Sequence, residues 1–136
     1  MKTVEATRLV DAPYQEVVSS LSPEMIILHE GTFTVSDIEE TDDGLIVEAK
    51  ATGITARFRF ERLQAGFYYE QIGSEGPFES LQTTISYHAS DGGTELTMTS
   101  DVSLGLRPRR LMDRIAAWKR KGELHRALRS IANEFE

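Results

Sequence analysis

The sequence has no cysteine, four prolines, one tryptophan and three histidines in 136 residues. Without thiols there is no disulfide scaffold, no thiol catalysis and no cysteine-based zinc site, and this usage is the one expected of a cytoplasmic protein. His29, His88 and His125 fall in three different segments, and none has a metal-ligand spacing such as H-E-x-x-H. Surface or capping roles are expected of all three, and no metal or cofactor is implied. There is no G-x-S-x-G elbow. Gly73-Ser74-Glu75-Gly76-Pro77 lacks the G-x-x-x-x-G-K pattern and opens no helix, so it is an ordinary loop and not a phosphate cradle. No apolar run approaches the ~18 residues that span a bilayer, and the opening Met-Lys-Thr-Val-Glu-Ala-Thr-Arg has no signal-like apolar core.

What is present fits one soluble globular domain over residues 1–136. The chain is 40% hydrophobic and 27% charged, and at this length it can bury a sufficient core without staples. The net charge of −7 is unevenly spread. Residues 1–106 hold 18 acids and 6 bases, whereas residues 107–136 hold 4 acids and 9 bases. The expected role of this asymmetry is docking of a basic tail helix on an acidic body. The alternative is a basic surface for phosphate, anionic lipid or nucleic acid. Arg109-Arg110 and Lys119-Arg120-Lys121 lack interleaved aromatics, and no nucleic-acid partner is expected.

The order of elements carries most of the information. Val4, Ala6, Arg8 and Val10 alternate with Thr3, Glu5, Thr7 and Leu9, as a strand with unequal faces does. Asp11-Ala12-Pro13 and Ser22-Pro23-Glu24 are two helix starts in tandem. Asp11 is a potential N-cap for the first helix, and Glu30-Gly31 closes the pair. Six strand patterns follow from Phe33 to Leu104, with turn signals at Asp42-Asp43-Gly44, Thr52-Gly53, Gln64-Ala65-Gly66 and Asp91-Gly92-Gly93. The clearest is Ile54, Ala56, Phe58 and Phe60 against Thr55, Arg57, Arg59 and Glu61.

The tail, from about Pro108 to Phe135, is helical with two apolar faces. Leu111, Ile115 and Trp118 share one, and Leu124, Leu128, Ile131 and Phe135 share another roughly opposite. Gly122 lies between them and weakens a helix, so a kink or break is predicted there. The alternative is a continuous helix whose tryptophan face meets something outside the domain. With the break, the segment from Met112 to Trp118 is a lid, a homodimer contact or a separate short helix.

A bent antiparallel sheet with a long helix across its mouth encloses a cavity, and such cavities hold ligands. The residues expected to line it are Phe33, Phe58, Phe60, Tyr69, Gln71, Leu81, Tyr87 and Met98, with Met112 and Trp118 as lid. Glu79 shares a strand face with Leu81, Thr83, Ile85 and Tyr87, and is either a buried functional acid or a rim residue in water. Arg62 joins the set near its turn.

The β-α-α-β(six)-α order, the opening Arg-Leu-Val-Asp-Ala-Pro-Tyr-Gln-Glu-Val and the closing Glu-Leu-His-Arg-Ala-Leu-Arg-Ser-Ile-Ala-Asn-Glu resemble the START-like, or polyketide cyclase/dehydrase-like, helix-grip superfamily. The resemblance implies an α+β fold in which a curved seven-stranded antiparallel sheet wraps the last helix around a hydrophobic cavity. The short second helix and the predicted break suit a compact bacterial or archaeal branch. Members carry lipids and sterols, bind quinones, cyclise aromatic polyketides or activate chaperones, and they share no catalytic motif. No catalytic residue can therefore be carried over. The function expected is binding or transport of a small hydrophobic or amphipathic ligand without catalysis. A cyclase- or dehydratase-like enzyme using Tyr69, Tyr87, Glu79 or Arg62 is one alternative. A protein-interaction or co-chaperone-like module is the other, favoured by a filled core and an exposed patch around Trp118.

Overall fold

The computed structural model describes residues 2–73 and 78–135. Most of the loop expected between Gly73 and Pro77 lies outside the described residues. The elements are β1 (Lys2–Val10), α1 (Tyr14–Ser20), α2 (Pro23–Glu30), β2 (Thr34–Thr41), β3 (Gly44–Ala51), β4 (Ile54–Leu63), β5 (Gly66–Ile72), β6 (Ser80–Ser90), β7 (Gly93–Ser103) and α3 (Arg109–Asn133). The seven strands form one curved antiparallel sheet in the order β1-β7-β6-β5-β4-β3-β2. This is the architecture that the element order predicts.

Period-two alternation sets the register. Ala56, Phe58 and Phe60 pair with Ala49, Val47 and Leu45 on β3, so one face of both strands turns inward together. Thr83, Ile85 and Tyr87 on β6 pair with Ser100, Met98 and Leu96 on β7, and all six are buried. Ser22 caps α2 by accepting a hydrogen bond from the Met25 amide at 3.2 Å, with Pro23 in the first turn. Asp11 does not cap α1. Its N-cap is Pro13, which has no side-chain bond to offer.

The predicted break at Gly122 does not occur. α3 runs unbroken for 25 residues through that glycine. A single glycine costs about 1 kcal/mol in a helix, too little to forfeit backbone bonds in a helix held by tertiary packing on both sides. α3 lies over β1 and β7, and its later half also packs on α2. Its inner face is Asp113, Ala116, Arg120, Glu123, Leu124, Ala127, Leu128 and Ile131. Polar residues thus face inward along the first half, while Leu111, Ile115 and Trp118 face out. The basic residues of the tail do not dock as a group on the acidic body. Arg110, Arg114, Lys119, Lys121 and Arg129 are exposed.

Candidate functional site

The interior beneath α3 centres on a charged side chain. Arg120 is 1% exposed. Its Nε donates to Ser100 Oγ at 3.0 Å, and its Nη2 donates to Tyr69 Oη at 2.6 Å and Thr83 Oγ1 at 2.8 Å. Its Nη1 donates to Glu30 and, at 3.4 Å, to Glu123. The five N–H groups of a guanidinium thus meet five acceptors. The acceptors are satisfied in turn. The Tyr69 hydroxyl donates to Glu30, the Thr32 hydroxyl donates to Glu123, and Thr83 and Ser100 bond each other at 2.8 Å across β6 and β7. Arg126 fixes the end of α2 by donating to the Glu30 carbonyl at 2.9 Å.

Burial opposes the charge of Arg120, but Glu30, Tyr69 and Glu123 outweigh it and hold the guanidinium above its ordinary value. Burial drives the Tyr69 hydroxyl well above the usual phenol range, with Glu30 adding to the effect and Arg120 opposing it. The tyrosine therefore stays protonated and donates. The cluster ties α2, α3, β5, β6 and β7 together; Arg120, Glu30, Tyr69, Thr83, Ser100 and Glu123 are buried, while Thr32 is half-buried and Arg126 exposed at its edge. It can fix the helices on the sheet.

Phe58, Phe60, Tyr69, Leu81, Tyr87 and Met98 are brought together in the core. The aromatic members fill space against one another. Tyr69 stacks on Phe60 at 4.5 Å and meets Phe58 edge-on at 6.0 Å, while Phe33, half-buried, meets Phe58 at 5.9 Å. Gln71 is engaged with backbone, its Nε2 donating to the Phe78 carbonyl at 2.6 Å. Glu79 stands at the rim, half-exposed, accepting from Arg109 at 3.2 Å. Met112 is half-buried on α3, and Trp118 is 80% exposed on its outer face, away from the sheet. Of the histidines, His88 and His125 are exposed. His29 is not at the surface as expected. It is buried, with Nδ1 at 2.8 Å from Ser130 Oγ and Nε2 at 3.5 Å from Glu134. Burial lowers its basicity, with Glu134 partly offsetting the effect.

Open space lies at the end of the grip where α2 begins. A pocket of about 420 Å³ is walled by Pro23, Leu45, Phe60 and Phe67 and rimmed by Arg62, Glu40, Thr41 and Asp42. The Arg62 guanidinium sits 5.3 Å over the Phe67 ring and makes no ion pair among the described residues. Of the residues expected to bind, Phe60 and Arg62 line this pocket. Sequence reasoning missed Glu30, Arg120 and Glu123. The one signal for Arg120 was its place on the same helical face as Ala116, Leu124 and Ala127. Among the described residues there is no cluster of His, Asp or Glu able to hold a metal, and no helix is long and apolar enough to cross a membrane.

A seven-stranded sheet gripping one long helix, with two short helices inserted after the first strand, is the START-like helix-grip fold. Solved structures share it at low identity. A START superfamily protein from Mycobacterium smegmatis matches with a TM-score of 0.68 and 17% identity over 98% of this chain and 99% of that one. The di-domain ARO/CYC protein BexL of the BE-7585A biosynthetic pathway matches with a TM-score of 0.70 and 14% identity over 99% of this chain and 50% of that one. XoxI from Bacillus cereus matches with a TM-score of 0.73 and 13% identity over 99% and 96%. By sequence, no known family and no curated protein matches the chain.

Proposed function

We propose that the protein binds a small amphipathic ligand at the mouth of the grip and not in its depth. The observation that carries this reading is the pocket of about 420 Å³ under the start of α2. Its volume falls in the range of small-molecule sites, and such sites combine apolar walls with a few polar groups that set orientation. Leu45, Phe60 and Phe67 would take the apolar body, and Arg62 would receive an acceptor group at the rim. The deeper interior holds the aromatic cluster and the Arg120 network. Those same bonds hold the Tyr69 hydroxyl, so proton transfer by Tyr69 to a bound substrate has no support. The half-exposed Glu79 is committed to Arg109, which also weakens the enzymatic alternative.

Titration with 1-anilinonaphthalene-8-sulfonate, an amphipathic anionic fluorophore, tests the reading. Saturable one-site binding is expected, weakened about tenfold by Leu45→Trp, which fills the half-buried wall, and by Arg62→Leu, which removes the rim cation. Binding that neither substitution alters, in proteins whose melting is unchanged, would refute the assignment.

A further inference from the structure

The polarity of α3 is turned inside out along its first half. Asp113, Arg120 and Glu123 point into the interior, and Leu111, Ile115 and Trp118 point out, 50%, 45% and 80% exposed. At about 100° per residue the three apolar side chains lie in one narrow stripe. Leu106, 57% exposed, precedes them on the approach to the helix. Arg110, Arg114 and Lys121 flank the stripe on one side and Lys119 and Arg126 on the other, all exposed. Both acids of the helix, Asp113 and Glu123, are buried, and Glu79 pairs with Arg109 at its first turn, so the outward surface beside the stripe is cationic. Beside Trp118 the bare Gly122 leaves a depression of about 520 Å³ edged by Lys119, Lys121, His125 and Arg126.

We propose that this face docks on an anionic phospholipid surface, with Leu111, Ile115 and Trp118 at the headgroup–acyl boundary and the flanking cations among the phosphates. An apolar stripe containing tryptophan and bordered on both sides by Lys and Arg is the pattern of a helix that lies in the membrane plane. Charge complementarity selects this occupant over a second copy, because a symmetric dimer through the stripe would set one acid-free cationic face against another. The acidic run of β2 and its turn does not flank this face, and the exposed Glu79 and Glu134 stand at the two ends of the helix. Asp37, Glu39, Glu40, Asp42 and Asp43 lie on β2 and its turn, at the opposite edge of the sheet from β1 and β7, over which α3 packs. The inference stands independently of the mouth pocket.

Trp118 is the sole tryptophan, so its fluorescence reports this face alone. With vesicles of phosphatidylcholine and phosphatidylserine in equal amounts, at low salt, its emission is expected to shift to the blue and become protected from acrylamide. High salt should reverse the shift, and pure phosphatidylcholine should give none. Lys119→Ala and Lys121→Ala are each expected to weaken vesicle binding about fivefold, as loss of one near-surface cation does. Trp118→Ala should weaken co-sedimentation while leaving the circular dichroism unchanged. No shift with the anionic vesicles would overturn the proposal. So would an equal shift with pure phosphatidylcholine, or with soluble polyglutamate, which would assign the face to apolar adsorption or to an acidic polypeptide instead.

Discussion

Replacing Arg120 by Met removes a buried cation and leaves its surroundings intact. Glu30 and Glu123, 6% and 4% exposed, then face each other with no counter-charge, and Tyr69, Thr83 and Ser100 lose a donor. Breaking a buried ion pair by removing one partner costs about 3–5 kcal/mol, chiefly because the surviving charge stays desolvated. With a urea m-value of about 2 kcal/mol/M, the unfolding midpoint should fall by roughly 2 M. That is a large part of the roughly 5–15 kcal/mol that holds a domain of this kind together. The penalty belongs to the orphaned carboxylates, so Arg120→Met combined with Glu30→Gln and Glu123→Gln should recover more than half of it. Urea melts followed by circular dichroism measure both. An Arg120→Met protein within about 1 kcal/mol of the parent would refute the reasoning, since that is the range of ordinary surface changes. A triple variant no better than the single one would refute it as well.

Two further perturbations follow from the same structure. Gly122→Ala should raise stability by about 1 kcal/mol, because the helix is continuous there and an added Cβ meets nothing within 4 Å; a lower thermal midpoint would restore the predicted kink. His29 has a folded-state pKa below its free value of 6.5, so the unfolded chain takes up the proton first as pH falls. Its contribution is therefore intact above that value and is lost as pH drops from there toward the lowered folded pKa. Urea midpoints should decline over that window in the parent and decline less in His29→Gln.

The sheet was legible in the sequence because its alternation is regular and its turns carry Gly and Asp at the required positions. Ile54 to Glu61 can be assigned face by face from the alternation alone. The helix was harder. Apolar periodicity gave Leu111, Ile115 and Trp118 one face and Leu124 and Leu128 another roughly opposite, and a break was predicted to reconcile them. The helix instead buries Asp113, Arg120 and Glu123 along with three alanines, and that choice is decided by partners on α2, β6 and β7 that are distant in sequence. Within Lys119-Arg120-Lys121 a buried arginine looks like its solvated neighbours. Glu30 likewise read as a helix end and not as the carboxylate that meets Arg120. Alternation turned Phe58, Phe60, Tyr69 and Tyr87 inward, and they are buried in the core, but the polar side chains that share their interior could not be counted from alternation alone.

The grip is tied inside by a charged network and open at its mouth. Amide chemical-shift mapping during the fluorophore titration tests it most directly. Perturbations are expected to be confined to Leu45, Phe60, Arg62, Phe67 and the β2–β3 turn, with Thr83, Ser100 and Arg120 unchanged. Shifts concentrated at Thr83, Ser100 and Arg120, with the mouth residues silent, would contradict it.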